Sequence, residues 1–224
     1  MSQDLSSQRN LTWNNLQSRE LRWRNLGQRP VIAWLTGLSG SGKSSIANAV
    51  DRKLTQAGRA TMVLDGDNLR HGLSKDLGFT DADRVENIRR AAETARLMAE
   101  AGVITIVSLI SPFREERAAA RAVAGDITFL EVFIDTPLDL CEARDPKGLY
   151  ERARSGAIPN FTGVSGPYEA PIDPDLTLAT EGRSVAASAK PLISALMHFS
   201  APRVSPIKLA RTDVGGPYLA EMRC

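Results

Sequence analysis

The chain has 224 residues, and Lys+Arg 28 against Asp+Glu 26 leaves a formal net charge of +2. Hydrophobic residues at 42% and charged residues at 24% fit one globular α/β domain and exclude global disorder. So small a charge gives nucleic acid or an anionic membrane no electrostatic hold, and two cysteines, Cys141 and Cys224, are too few for a disulfide framework. The start, MSQDLSSQRN, is polar and lacks an apolar signal core. The longest strongly apolar run, Val103 to Ile110, is far too short to span a bilayer, so a soluble, cytoplasmic protein is expected.

In chain order, residues 1–29 form a polar extension in which Trp13, Leu16, Leu21 and Trp23 are the expected anchors onto the domain. Strands are predicted at Val31–Thr36, Ala60–Asp65, Val103–Leu109, Thr128–Asp135 and Asp175–Thr180. The first four are rich in Val, Ile, Leu and Phe with little polar alternation, the pattern of strands covered on both faces. The clearest helix runs from Asp81 to Ala101, with Val85, Ile88, Ala92, Ala95 and Ala99 on one apolar face. Arg89/Glu93 and Arg96/Glu100 read as i,i+4 pairs, Thr80 with Asp83 as a capping box, and Gly102 as the stop. Ser111-Pro112 reads as a helix entry with Ser111 as N-cap. The alternation βαβα predicts an α/β fold, a doubly wound, mainly parallel five-stranded sheet with helices on both faces. Residues 1–200 make one domain, with an irregular Pro- and Gly-containing lid at 144–174 and a C-terminal tail at 201–224.

Directly after the first strand stands Gly37-Leu38-Ser39-Gly40-Ser41-Gly42-Lys43-Ser44, a full G-x-x-x-x-G-K-[ST] match followed by Ser45. Glycines let successive backbone N–H groups converge on a phosphate, and the following helix points its N-terminus at the same place. Lys43 is expected on the β- and γ-phosphates and the Ser44 hydroxyl on Mg²⁺. The signal is specific for a nucleoside triphosphate, here ATP, because no N/T-K-x-D guanine-reading motif accompanies it.

The second strand ends in Asp65-Gly66-Asp67-Asn68-Leu69-Arg70. Ligands of parallel sheets sit beyond the carboxyl ends of strands, so both carboxylates fall beside the phosphate loop. Asp67 can accept a hydroxyl proton or help position Mg²⁺, and Arg70 can hold an anion. An Asx-rich turn capping a helix accounts for the same residues about equally well.

Seven collinear runs, GLSGSGKS, DGDNLR, DLGF, DRVENIRR, ISPFR, CEARDPKGLY and FTG with PYEAP, together resemble the adenylylsulfate kinase family from about Trp34 to Asp175. The resemblance implies a P-loop kinase fold and the reaction ATP + adenylyl sulfate → ADP + 3′-phosphoadenylyl sulfate. It implies that Phe79 and Phe161 sandwich the substrate adenine while Arg70, Arg84 and Asn87 hold the phosphosulfate and base. Ile110 and Ser111 touch the nucleotide, Lys147 comes from the lid, and Asn68 and Thr162 lie in substrate-binding motifs. Arg144 joins the ATP site, Asp65 joins Ser44 toward Mg²⁺, and Lys43 and Asp67 are the catalytic pair. In some members the serine matching Ser111 is phosphorylated; direct in-line transfer is the expected route here, with Ser111 as cap rather than nucleophile. Two departures stand out: Ser45 replaces a frequent threonine, and Val164-Ser165-Gly166 replaces a stretch that usually carries an acidic residue. Family members commonly pair, so a homodimer is expected, and association with ATP sulfurylase fits the same chemistry. The rivals are a P-loop kinase for another small nucleotide or sugar, and a nucleotide-binding regulatory partner of ATP sulfurylase.

Overall fold

The computed structural model describes residues 17–202, so Trp13, Leu16 and the tail from residue 203 lie outside the described residues. The elements run α1 (Arg19–Asn25), β1 (Val31–Thr36), α2 (Lys43–Gln56), β2 (Thr61–Asp65), α3 (Gly66–His71), α4 (Asp81–Glu100) and β3 (Ile104–Ser108). They continue with α5 (Arg114–Ala124), β4 (Thr128–Asp135), α6 (Leu138–Arg144), α7 (Leu149–Arg154), β5 (Leu176–Ala179) and α8 (Val185–Phe199). All five strands pair in parallel in the order β2-β3-β1-β4-β5. The predicted strands all form. β1 and β4 match the predicted bounds, and the other three are one residue shorter at one or both ends.

Strand periodicity divides the core into two layers. Val31, Ala33 and Leu35 of β1 pack with Ile46, Val50 and Leu54 of α2 and Leu192 and Leu196 of α8. Ile32 and Trp34, pointing the other way, meet Ile88, Ala92, Ala95 and Ala99 of α4 and Ala120 and Ala124 of α5. Successive side chains of a strand face opposite sides, so helices must cover both faces of β1. A satellite cluster packs Cys141 of α6 against Tyr150, Ala153 and Phe161 of the lid. Among the described residues, no helix is long and apolar enough to cross a membrane.

Helix α4 begins as expected: Thr80 accepts from the Asp83 N–H, and Asp83 reaches back to the Thr80 N–H. Two expectations on it fail. Val85 is exposed rather than part of the apolar face. Arg89 pairs with Glu86 instead of Glu93, and Glu86 also takes Arg90. An acid placed N-terminal to its base suits the helix dipole better than the reverse order of Arg89/Glu93. Arg96 does meet Glu100, at 2.5 Å.

In the N-terminal extension Leu21 is exposed and anchors nothing. Trp23 does anchor: its indole N–H donates to the Ala99 and Glu100 carbonyls at 3.2 Å, satisfying the last turn of α4. The lid contains α7 and an isolated parallel bridge between Thr162 and Gly166, so it is more ordered than an irregular loop.

Candidate active site

The topology places β1 between β3 and β4, where the chain reverses its direction of sheet growth, and a crevice opens at such a switch point. Into it runs the loop Gly37–Gly42, followed at once by Lys43 as the first residue of α2. Gly40 and Gly42 have φ of 72° and 104°, where side chains are strained. A Cβ on Gly40 would also lie 2.9 Å from the Cys141 carbonyl oxygen. The loop is gripped from outside: the Tyr150 hydroxyl donates to the Ser39 carbonyl at 2.9 Å, and Thr136 Oγ1 donates to the Ser41 carbonyl at 3.0 Å. Arg144 donates to the Gly40 and Ser41 carbonyls at 3.4 and 3.3 Å, which puts it against the loop.

Lys43 Nζ donates to the carbonyls of Gly37 and Leu38 at 2.9 and 2.7 Å. Burial pushes its ammonium down to about 8 from the ordinary lysine value. Ser44 Oγ donates to Asp65 Oδ2 at 2.6 Å and lies 3.4 Å from Ser108 Oγ, while Ser45 is exposed on α2. Asp65 also caps α3 by accepting the Asp67 N–H at 3.1 Å. Register explains the meeting, since Asp65 pairs with Ser108 at the carboxyl end of the sheet, one strand from the loop. The described residues hold no cluster of three or more His, Cys, Asp or Glu suited to a metal. A hydroxyl and one carboxylate are nevertheless the hard-oxygen set that suits a Mg²⁺ carried largely by phosphates and water.

Facing the loop, Arg70 lies over the Phe79 ring at 4.4 Å and donates to the Gly78 carbonyl at 2.6 Å. Arg84 bridges to the lid, donating to Thr162 Oγ1 at 2.9 Å and to the Asn160 carbonyl at 2.8 Å. Lys147 of the lid pairs with Asp67. A cavity of about 70 Å³ remains between Asp81, Arg84, Phe113, Asn160 and Thr162. Phe79 is 69% exposed, whereas Phe161 is buried edge-on against Tyr150. Asn87 is buried with its side-chain oxygen unpartnered among the described residues, and Asn68 is exposed on α3. The Ile110 carbonyl is already engaged by Thr36 Oγ1, at 2.6 Å.

The sequence profile described as adenylylsulphate kinase matches residues 29–179. The chain belongs to the adenylylsulphate kinase family. It is 50% identical over 188 residues to the adenylyl-sulfate kinase of Aeromonas hydrophila, covering 84% of this chain and 95% of that protein. It is 57% identical over 191 residues to the bifunctional enzyme NodQ of Rhizobium sp. strain N33, covering 85% of this chain but 29% of NodQ. The fold superposes with a TM-score of 0.73 and 54% identity on the APS kinase CysC of Mycobacterium tuberculosis, solved with AMPPNP and APS. That match covers 75% of this chain and 98% of the other.

Within the family's ISPFR run the structure corrects one assignment. Ser111 is not the N-cap of α5; that position belongs to Phe113, and Arg114 starts the helix. Ser111 instead has φ 39° and is buried, with its Oγ accepting the Trp34 indole N–H at 3.0 Å. The helix end is capped from the lid side, where Glu169 Oε2 accepts the Arg114 N–H at 2.9 Å.

Three residues given no role from the sequence pack around these segments. Arg117 is buried and donates to Glu131 Oε1 at 2.6 Å, and to the Ser111 and Glu169 carbonyls, both at 2.7 Å. Glu131 was the available signal, a charge in the interior of the apolar run TFLEVFID. Tyr150 and Tyr168 are the other two, Tyr168 lying 3.1 Å from Thr36 Oγ1.

Proposed function

We propose that this chain transfers the γ-phosphoryl group of ATP to the 3′-hydroxyl of adenylyl sulfate, giving 3′-phosphoadenylyl sulfate and ADP in sulfate activation. One observation carries the reading: the phosphate loop with Lys43 and Ser44 faces a second cluster, Asp67, Arg70, Arg84 and Lys147, across the carboxyl end of the sheet. The relatives at 50% identity or more supply the acceptor.

Each cation of that cluster now holds an anionic or carbonyl oxygen of the protein itself. Lys147 holds Asp67, and Arg84 holds Asn160 and Thr162. A phosphosulfate entering there replaces oxygen with oxygen, so the guanidinium and ammonium groups stay paired throughout. Phe79, already exposed under Arg70, offers one face to the adenine, and Phe161, held edge-on by Tyr150, offers the other.

Displacing Lys147 frees Asp67 to accept the 3′-hydroxyl proton. Lys43 exchanges the loop carbonyls for phosphate oxygens as the triphosphate enters. Ser44 and Asp65 would hold Mg²⁺, which neutralises charge on the phosphate oxygens when bound. The transition state is loose, so electrostatic positioning by Lys43 and the loop amides outweighs proton removal. Ser111 plays a structural part, because its hydroxyl is committed to Trp34 and buried.

The proposal extends to a homodimer and to association with ATP sulfurylase; the bifunctional relative NodQ, of which this chain spans 29%, supports only the idea of a further activity beside this one. Coupled measurement of ADP release, with adenylyl sulfate against other nucleotides and sugars, tests the acceptor. Release that needs adenylyl sulfate is expected, and release with a different acceptor alone would overturn the reading. Sedimentation with and without ATP sulfurylase tests the assembly.

A further inference from the structure

Among the described residues, Tyr150 joins the two halves of the site through a single side chain. Its backbone is fixed by Asp145, whose carboxylate accepts the N–H groups of Leu149, Tyr150 and Glu151 at 2.8, 2.9 and 3.1 Å. From that anchor the buried ring runs between the phosphate loop and the lid. Its hydroxyl donates to the Ser39 carbonyl at 2.9 Å, and its ring meets Phe161 edge-on, with centroids 5.0 Å apart and planes at 79°. Phe161 is in turn held by its own turn, its carbonyl accepting from Val164, Ser165 and Gly166. A second contact runs parallel, since a Cβ on Gly163 would lie 2.8 Å from Leu38 of the phosphate loop.

We propose that Tyr150 is a positioning residue that couples occupancy of the phosphate loop to binding of the acceptor nucleotide against Phe161. This rests on the kinase reading above, which supplies the two ligands. The Ser39 carbonyl accepts from the Tyr150 hydroxyl in the loop position seen here, and a part-buried hydroxyl that loses its acceptor is costly. A triphosphate that holds the loop in this position therefore fixes the ring, and the ring fixes Phe161 for the second adenine. Coupling between two sites is reciprocal, so the acceptor nucleotide tightens ATP binding by the same factor.

The test is calorimetric titration of the full chain with a magnesium complex of a non-hydrolysable ATP analogue, with and without adenylyl sulfate, and then in the reverse order. In the wild type each ligand tightens the other by one common factor. Tyr150→Phe keeps the ring and removes the hydroxyl, and its coupling factor falls roughly three- to tenfold, the scale of one buried hydrogen bond. Adenylyl sulfate affinity in the absence of nucleotide stays at the wild-type value, which a merely structural loss would not permit. Phe161→Leu keeps the hydroxyl and loses the edge contact, so it loses the coupling too. The double variant loses no more than the larger single loss, because the two links act in series. A wild-type coupling factor in Tyr150→Phe, or losses that add in the double variant, would overturn the role of Tyr150 while leaving the kinase reading intact. A wild type that neither binds nor phosphorylates adenylyl sulfate would overturn both.

Discussion

Lys147 of the lid and Asp67 of α3 form an ion pair across the mouth of the site, although 80 residues separate them in sequence. The pair keeps the proposed proton acceptor engaged until an anion draws the lysine away. Both groups are more than half exposed, so the pair contributes little to stability.

Lys43→Ala is expected to harm turnover more than Asp67→Asn. A positioned base contributes about 10²–10⁴-fold. Cationic stabilisation of a phosphoryl group reaches roughly 10³–10⁵-fold. Lys43 is buried between two carbonyls of the phosphate loop, where the proposed triphosphate would lie, so it carries the larger share. The check is kcat for both variants with saturating ATP and adenylyl sulfate. The reverse order would mean that proton removal limits the reaction.

Nucleotide affinity should weaken above pH 8. Burial lowers the Lys43 ammonium to about 8, and a bound triphosphate raises it again. Above pH 8 binding must therefore take up a proton, and Kd for Mg-ATP rises by up to about tenfold per pH unit. The sign for folding is opposite. Between about 8 and the ordinary lysine value of 10.5 the unfolded chain binds more protons, so the contribution of Lys43 to stability increases with pH there. Titrations at pH 7, 8 and 9 in two buffers of different ionisation enthalpy read the proton uptake directly. Flat affinity with no proton exchange would contradict the buried, depressed lysine.

What the residues disclosed in advance was mostly local. The Thr80–Asp83 box, the phosphate loop and the unbroken apolar strands depend on neighbours within a few positions, so their outcome is written in short spacings. Ser111 shows where that logic ends. Ser-Pro before a helical pattern reads as a cap, yet Trp34, 77 residues away, claims the hydroxyl, and Glu169 supplies the cap from the far side of the lid. Glu86 likewise chose Arg89 and Arg90 over the pairing expected of Glu93 with Arg89, a choice made by the order of charge along the helix. Arg117 was invisible in an alanine-rich helix because all of its partners come from other segments or the preceding turn. The proposed adenine faces rest on the family motifs alone; Phe79 and Phe161 by themselves read as ordinary anchors.

Ser111→Ala is expected to keep turnover within about tenfold of the wild type while losing stability. Its Oγ is the acceptor for the Trp34 indole, so the change strands a buried N–H at a cost of about 1–3 kcal/mol. Denaturant titration measures the loss, and single-turnover phosphoryl transfer measures the chemistry. A variant that binds both substrates and transfers nothing would overturn direct in-line transfer.

Arg117→Ala should be among the most destabilising single changes in the chain. The side chain is 2% exposed, and its three nitrogens serve Glu131, the Ser111 carbonyl and the Glu169 carbonyl. Removing it leaves a mostly buried carboxylate and two carbonyls without their donor, a loss of about 3–5 kcal/mol. For a domain of this size that lowers Tm by roughly 6–20 °C. Arg117→Lys recovers little, since one ammonium on a flexible stem cannot reach three acceptors spread around a planar fork. Replacing the pair together, Arg117→Met with Glu131→Leu, recovers more, because no charge is then left buried without a partner. The double replacement still lacks the tie to Glu169, which holds the C-terminal end of the lid to α5 through its own bonds to Pro112 and Arg114. KM for adenylyl sulfate should therefore rise in the restored double variant while kcat changes little. Thermal unfolding and steady-state kinetics on the three variants separate the two effects, and a double variant with wild-type KM would confine Arg117 to the core.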